Sequence, residues 1–263
     1  NCRGVGIDMK LESPWIESFM VGDLQMRCSV VTDLATGDTI IIDGGSESER
    51  IISWIEGFDG VGPNWSTGPQ SQEDMQESGV LSRKVVALVN THAHYDHSGH
   101  IPNLLQRYDV DWYLHEDDYF LQTLAKTSAA RRGISLPEPA EATQKISDEQ
   151  TLDFGSISLK ILHTPGHTLG GCCLLLGVSD GPDHLFVGDT LFAGSVGRTD
   201  LPNTGGDFEV LSHSIKTKLW PLKPDTVVHP GHGPLTSIGV EKLTNPYVGQ
   251  SSQSNDGFIG KYM

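Results

Sequence analysis

The chain has 263 residues, enough for one large α/β domain with a sizeable buried core. Hydrophobic residues make up 37% and charged residues 20%, as in an ordinary globular protein, and the longest apolar runs (Ile40–Ile42, Cys172–Leu176) are far too short to span a bilayer. A formal charge of −16, with no stripe rich in Lys and Arg, argues against nucleic-acid or anionic-membrane partners, which need phosphates neutralised.

Residues 25–33 and 38–43 are predicted as strands around the turn Ala35-Thr36-Gly37. A helix is expected over 46–57, with Ser46 as N-cap and Ile51, Ile52 and Ile55 on one face. Residues 58–82 are rich in Gly, Pro, Ser, Gln and acids and read as a surface insertion. Then come a buried strand (84–90), a loop (92–99), a helix (100–108), a strand (111–114), a helix (116–132) and a Pro-containing loop (133–143). The second half reads as a hairpin over 150–162 turning at Phe154-Gly155, strands at 172–176 and 184–187, a helix at 208–219, a strand at 226–228 and a last short helix from Thr236 or Ser237. Each half thus holds several strands and then helices, which suggests two packed sheets with helices outside. Residues 1–248 are expected to form a single domain and 249–263 a flexible tail.

The four cysteines (Cys2, Cys28, Cys172, Cys173) show neither disulfide-framework nor Cys-x-x-Cys spacing. A reducing compartment is expected, the cytoplasm first, or an organelle such as the mitochondrion if a leader has been removed.

The chemistry concentrates in Thr91-His-Ala-His-Tyr-Asp-His97, three His and one Asp within six residues directly after an apolar strand. Imidazoles and carboxylates are the usual ligands of zinc and related first-row metals. His167 in Thr164-Pro-Gly-His, Asp189 in Val187-Gly-Asp and His232 in His229-Pro-Gly-His each follow another strand, with Gly beside them for a tight turn. A lone His is usually structural, so His115, His163, His184, His213 and His229 are read that way; His100 is expected to support the cluster from a helix start.

This order, His-x-His-x-Asp-His, then His, Asp and His, resembles the metallo-β-lactamase superfamily over about residues 25–246. The resemblance implies a four-layer αββα sandwich. It assigns His92, His94 and His167 to a first metal, Asp96, His97 and His232 to a second, and Asp189 to both. Zinc is the expected metal, and iron and manganese suit the same donors. The segments Gly197-Arg-Thr-Asp-Leu-Pro202, Gly206-Asp-Phe208 and Pro230-Gly-His-Gly-Pro234 are similar to short glyoxalase II-like thioesterases (hydroxyacylglutathione hydrolases). A carboxylate at Asp189 departs from the β-lactamases of the superfamily. The implied reaction is thioester hydrolysis by a hydroxide bridging two cations, held by Asp96 and Asp189, with a thiolate leaving that needs little protonation. Asp43 and Thr91 are expected to orient ligands, and Arg198 to brace Asp189 or meet a substrate carboxylate.

Full-length glyoxalase II enzymes bind glutathione through a C-terminal helical domain for which this chain has no matching residues. The rim is therefore expected from the 58–82 segment with Trp65, or from helix 116–132, with Tyr113, Tyr119 and Phe120 read as core. The alternative is a persulfide dioxygenase of the same fold, with one iron on residues matching His92, His167 and Asp189; Gly233-Pro234 departs from the Asp-Tyr of that family. A lactonase, a nuclease or phosphodiesterase, and a catalytically silent binding module are further readings. Seven filled ligand positions argue against the silent module, and the acidity argues against the nuclease.

Overall fold

A computed structural model describes residues 14–57, 60–69, 71, 73–74 and 82–250. Cys2 and the tail beyond residue 250 lie outside them, as does much of the 58–82 segment.

The first half contains β1 (Trp15–Val21), β2 (Met26–Thr32), β3 (Asp38–Ile42), α1 (Ser48–Gly57), β4 (Trp65–Ser66), β5 (Lys84–Val89), α2 (Tyr95–Ser98), α3 (Ile101–Tyr108), β6 (Asp111–His115), α4 (Tyr119–Ala130) and β7 (Gln144–Ile146). The second contains β8 (Thr151–Phe154), β9 (Ile157–His163), β10 (Cys172–Leu176), β11 (His184–Gly188), the short pair β12 (Leu191–Phe192) and β13 (Ser195–Val196), α5 (Phe208–Ser214), which continues as a π-helical stretch (Ile215–Leu219), β14 (Val227–Pro230), β15 (Thr236–Ser237) and α6 (Ile238–Thr244). One sheet has the order β4-β1-β2-β3-β5-β6-β7, the other β15-β14-β11-β10-β9-β8.

Strand periodicity explains the layering. In β3, Ile40 and Ile42 face the second sheet and pack with Leu159, Ile161, Leu174 and Phe186, whereas Ile41 faces outward to Ile51, Trp54 and Leu104. In the second sheet Leu185, Val187 and Val228 face outward to Leu211, Ile215 and Leu219. Both faces of each sheet are therefore covered, which is why these strands read as continuous apolar runs rather than alternating ones. The result is the expected αββα sandwich.

Several local expectations change. Strand β1 lies before the first predicted strand, because buried Glu17 and Ser18 interrupt its apolar pattern. Glu17 is satisfied by the Trp54 indole, 2.6 Å away, and by an ion pair with Arg83, so a carboxylate sits in a strand core. The edge strand β7 is likewise absent from the predicted strands. Within the 58–82 segment, Trp65 and Ser66 pair with β1. Helix α1 begins at Ser48 rather than beside Ser46. The expected 92–99 loop contains the helical turn α2. Cys28, Cys172 and Cys173 are buried free thiols.

Candidate metal centre

Strands β9, β11 and β14 run in one direction within the second sheet, so the residues following them emerge at one edge. The chain after β5 is tied to that edge by Cys172 N–H donating to the Thr91 carbonyl at 2.8 Å. His92–His97, His167, Asp189 and His232 meet there.

The seven side chains form two overlapping groups. His94 Nδ1 lies 3.1 Å from His92 Nε2 and 2.9 Å from His167 Nε2. In the second group His232 Nε2 lies 3.2 Å from Asp96 Oδ2, which is 3.8 Å from His97 Nε2. Asp189 stands between them: Oδ2 is 3.5 Å from His167 Nε2, and Oδ1 is 3.3 Å from His97 Nε2 and 3.6 Å from His232 Nε2.

The outward nitrogens show which way the lone pairs point. His97 Nδ1 meets Asp43 Oδ2 at 3.0 Å, His167 Nδ1 the Arg198 carbonyl at 2.6 Å, and His232 Nδ1 the Leu24 carbonyl at 3.0 Å. His92 Nδ1 meets Thr91 Oγ1 at 3.1 Å, whose own proton goes to Asp43 Oδ2 at 2.7 Å. Each Nδ1–H thus donates outward, leaving Nε2 as a bare acceptor turned inward. His97 Nε2 is buried with no hydrogen-bond partner among the described residues. Acceptor nitrogens crowded to about 3 Å repel unless a cation lies between them, and His/Asp donors are those that divalent first-row metals accept. The residues present therefore fit a pair of such ions. His94 is the exception in its outward nitrogen, since its Nε2 is buried without a hydrogen-bond partner among the described residues.

Electrostatics agree. Burial first, then the neighbouring His97, His94 and His167, hold His92 well below the usual histidine range. Burial and His167 bring His94 to about 3. Burial would also lower His97, but Asp189, Asp96 and Asp43 outweigh it and raise it well above the usual range. Three carboxylates around one imidazole mark where positive charge is wanted.

Asp43 and Thr91 contact His97 and His92 through the hydrogen bonds given above. The Arg198 carbonyl holds His167, and its guanidinium forms a two-pronged pair with Asp200 at 2.8 and 3.0 Å. His100 bonds through its ring to Ser48 on α1 at 3.1 Å, and so ties α1 to α3. Trp65 packs against His229, and Tyr119 and Phe120 are exposed rather than core.

Three further residues position the site. Asp118, buried after β6, accepts from Ala93 N, Thr168 Oγ1 and Gly170 N at 3.1, 2.9 and 2.6 Å, and so joins the loop of His92 and His94 to that of His167. Its place at a strand end was the available signal. Asn90 Nδ2 donates to the His92 and His97 carbonyls at 3.3 and 2.8 Å. Arg27 donates to the Pro230 and Gly233 carbonyls at 3.0 and 2.6 Å, bracing the loop of His232.

The sequence profile of the metallo-beta-lactamase superfamily matches residues 21–232. The chain belongs to that superfamily. It is 35% identical over 239 residues to hydroxyacylglutathione hydrolase GloC of Haemophilus influenzae, covering 90% of this chain and 99% of that protein. Among solved structures it resembles the BLEG-1 B3 metallo-beta-lactamase (TM-score 0.72, 29% identity, 89% of this chain and 99% of that one). It also resembles TTHA1623 in a di-iron-bound form (TM-score 0.68, 33% identity, 88% and 98%). Members of the superfamily are metal-dependent hydrolases, and the fold binds divalent metals.

Proposed function

We propose that this chain is a dinuclear metallohydrolase of small acyl thioesters, of the hydroxyacylglutathione hydrolase type. The observation that carries the reading is Asp189, whose two oxygens are divided between the two donor groups. The similarity to GloC, spanning nearly the whole of both chains, supports the substrate class.

His92, His94 and His167 would hold one ion, Asp96, His97 and His232 the other, and Asp189 both. Such a pair supplies Lewis acidity for a carbonyl and a water acidified toward neutral pH. The chain's own residues supply orientation. The Asp43–Thr91 hydrogen bonds fix His97 and His92 in the tautomer that leaves Nε2 unprotonated. Asp96 and Asp189 offer carboxylate oxygens that can accept a hydrogen bond from an attacking water and keep its lone pair aimed. A thiol leaves at a pKa near 8.5, so the reaction makes no demand for a strong general acid, and none is needed here. The substrate this reading implies is a small molecule.

The test is hydrolysis of S-D-lactoylglutathione by protein loaded in turn with zinc, iron and manganese, followed by the loss of thioester absorbance. The expected result is turnover abolished by a chelator and restored by metal. No hydrolysis with any of the three metals, together with oxygen uptake on glutathione persulfide by the iron form, would overturn it in favour of the dioxygenase.

A further inference from the structure

Beside Asp96 a groove runs between the β1–β2 turn and the segment following α4. It is lined by Leu24, Tyr95, Ile134 and Leu136, with Gly45 and Ser46 below and Asp96 itself in the wall. Asp23 also belongs to the lining, and Arg132 Nε and Nη2 donate to its Oδ2 at 3.0 and 2.9 Å. Tyr95 and Asp96 line the same groove as Asp23, which sets the ion pair beside the second donor group.

The turn that carries Asp23 also supplies the Leu24 carbonyl that holds His232. It is fixed by Gly22 N–H donating to Glu47 and by Gln25 N–H donating to the Gly22 carbonyl. The rim is therefore registered to the metal ligands rather than floating. The two partners differ from the buried pairs of this protein in being open to solvent: Arg132 is 49% and Asp23 41% exposed. An exposed ion pair contributes little to stability, so its carboxylate half can be exchanged for another at small cost. A guanidinium presents a planar fork matched to a carboxylate. In a chain with net charge −16 an anionic substrate needs such a cation at the rim.

We propose that this groove is the subsite for the thiol half of the substrate, and that Arg132 binds a carboxylate there by exchanging Asp23 for it. The substrate class is narrowed to thioesters of carboxylate-bearing thiols. The proposal rests on the thioesterase reading, but its test does not depend on turnover.

The experiment is calorimetric titration of the metal-loaded protein with S-hexylglutathione and with its dimethyl ester. Wild type is expected to prefer the acid by about tenfold. Arg132→Ala should abolish that preference while leaving ester binding in place. Asp23→Asn, which removes the internal competitor, should tighten acid binding about two- to fivefold. Equal binding of acid and ester by wild type, binding of neither, or an acid preference that survives in Arg132→Ala would each overturn the proposal. If wild type shows the preference and Arg132→Ala loses it, yet S-D-lactoylglutathione is not hydrolysed, the thioesterase reading fails and the carboxylate subsite stands.

Discussion

Asp43→Asn tests how the ligand set is held, because it keeps the shape of the side chain and changes only what it can accept. Asp43 Oδ1 accepts from Thr91 N at 2.8 Å, and Oδ2 accepts from both Thr91 Oγ1 at 2.7 Å and His97 Nδ1 at 3.0 Å. An amide has one acceptor oxygen. With that oxygen on Thr91 N, the NH2 faces His97 Nδ1, which can then only accept. The ring must move its proton to Nε2, the nitrogen that faces Asp189 and Asp96, and His97 is lost as a donor. Removing such an outer partner lowers metal affinity by about 10- to 100-fold, or about 1.4–2.7 kcal/mol. Asp43 is 2% exposed, so water does not replace the lost acceptor. Competition with a chromophoric zinc chelator reads the two affinities separately. The expected result is a weakened second ion, with Thr91→Val weakening mainly the first through His92. Two unchanged affinities in Asp43→Asn would refute the tautomer argument.

Other perturbations reach the same centre from different sides. A Cβ on Gly231 would collide with Asp189 Oδ1 and lie 2.8 Å from His97 Cε1, so Gly231→Ala should lower kcat at least about 100-fold while the far-UV spectrum stays native, as kinetics and circular dichroism will show. Arg27→Met removes both donors to the Pro230 and Gly233 carbonyls and should destabilise by about 1–3 kcal/mol, measured as a lower Tm with faster loss of metal to a chelator. Burial raises the Asp118 carboxyl to about 6, outweighing its donors from Gly170, Thr168 and Ala93. With the folded value above the unfolded one near 3.9, its stabilising contribution is complete below pH about 4 and is lost as pH rises through about 6, a span of about 3 kcal/mol. Urea midpoints of wild type and Asp118→Asn between pH 4.5 and 7 should diverge in slope accordingly, and parallel curves would remove Asp118 from that role.

The candidate donors stand out in the sequence because a metal demands particular residue types, and a strand end followed by Gly is a local pattern. The β3 and β5 runs were legible because both their faces are covered. The parts that sequence did not yield are those held by long-range or main-chain partners. Strand β1 was obscured because Glu17 is neutralised by Arg83, 66 residues away. The acceptors of His167 and His232 are the carbonyls of Arg198 and Leu24, which any residue type could supply. Arg27 acts on a loop 203 residues later and leaves no local trace. Asp118, by contrast, follows an apolar strand as Asp189 does, and could have been found on that ground.

One carboxylate, Asp189, places its oxygens in both donor groups and would so unite two metal positions. Elemental analysis of wild type and Asp189→Asn, each loaded under the same zinc-buffered conditions, tests it directly. About two ions per chain are expected in wild type, and clearly fewer in the variant together with loss of thioester hydrolysis. A single ion per chain in wild type, or an Asp189→Asn variant that keeps its full complement and its activity, would contradict it.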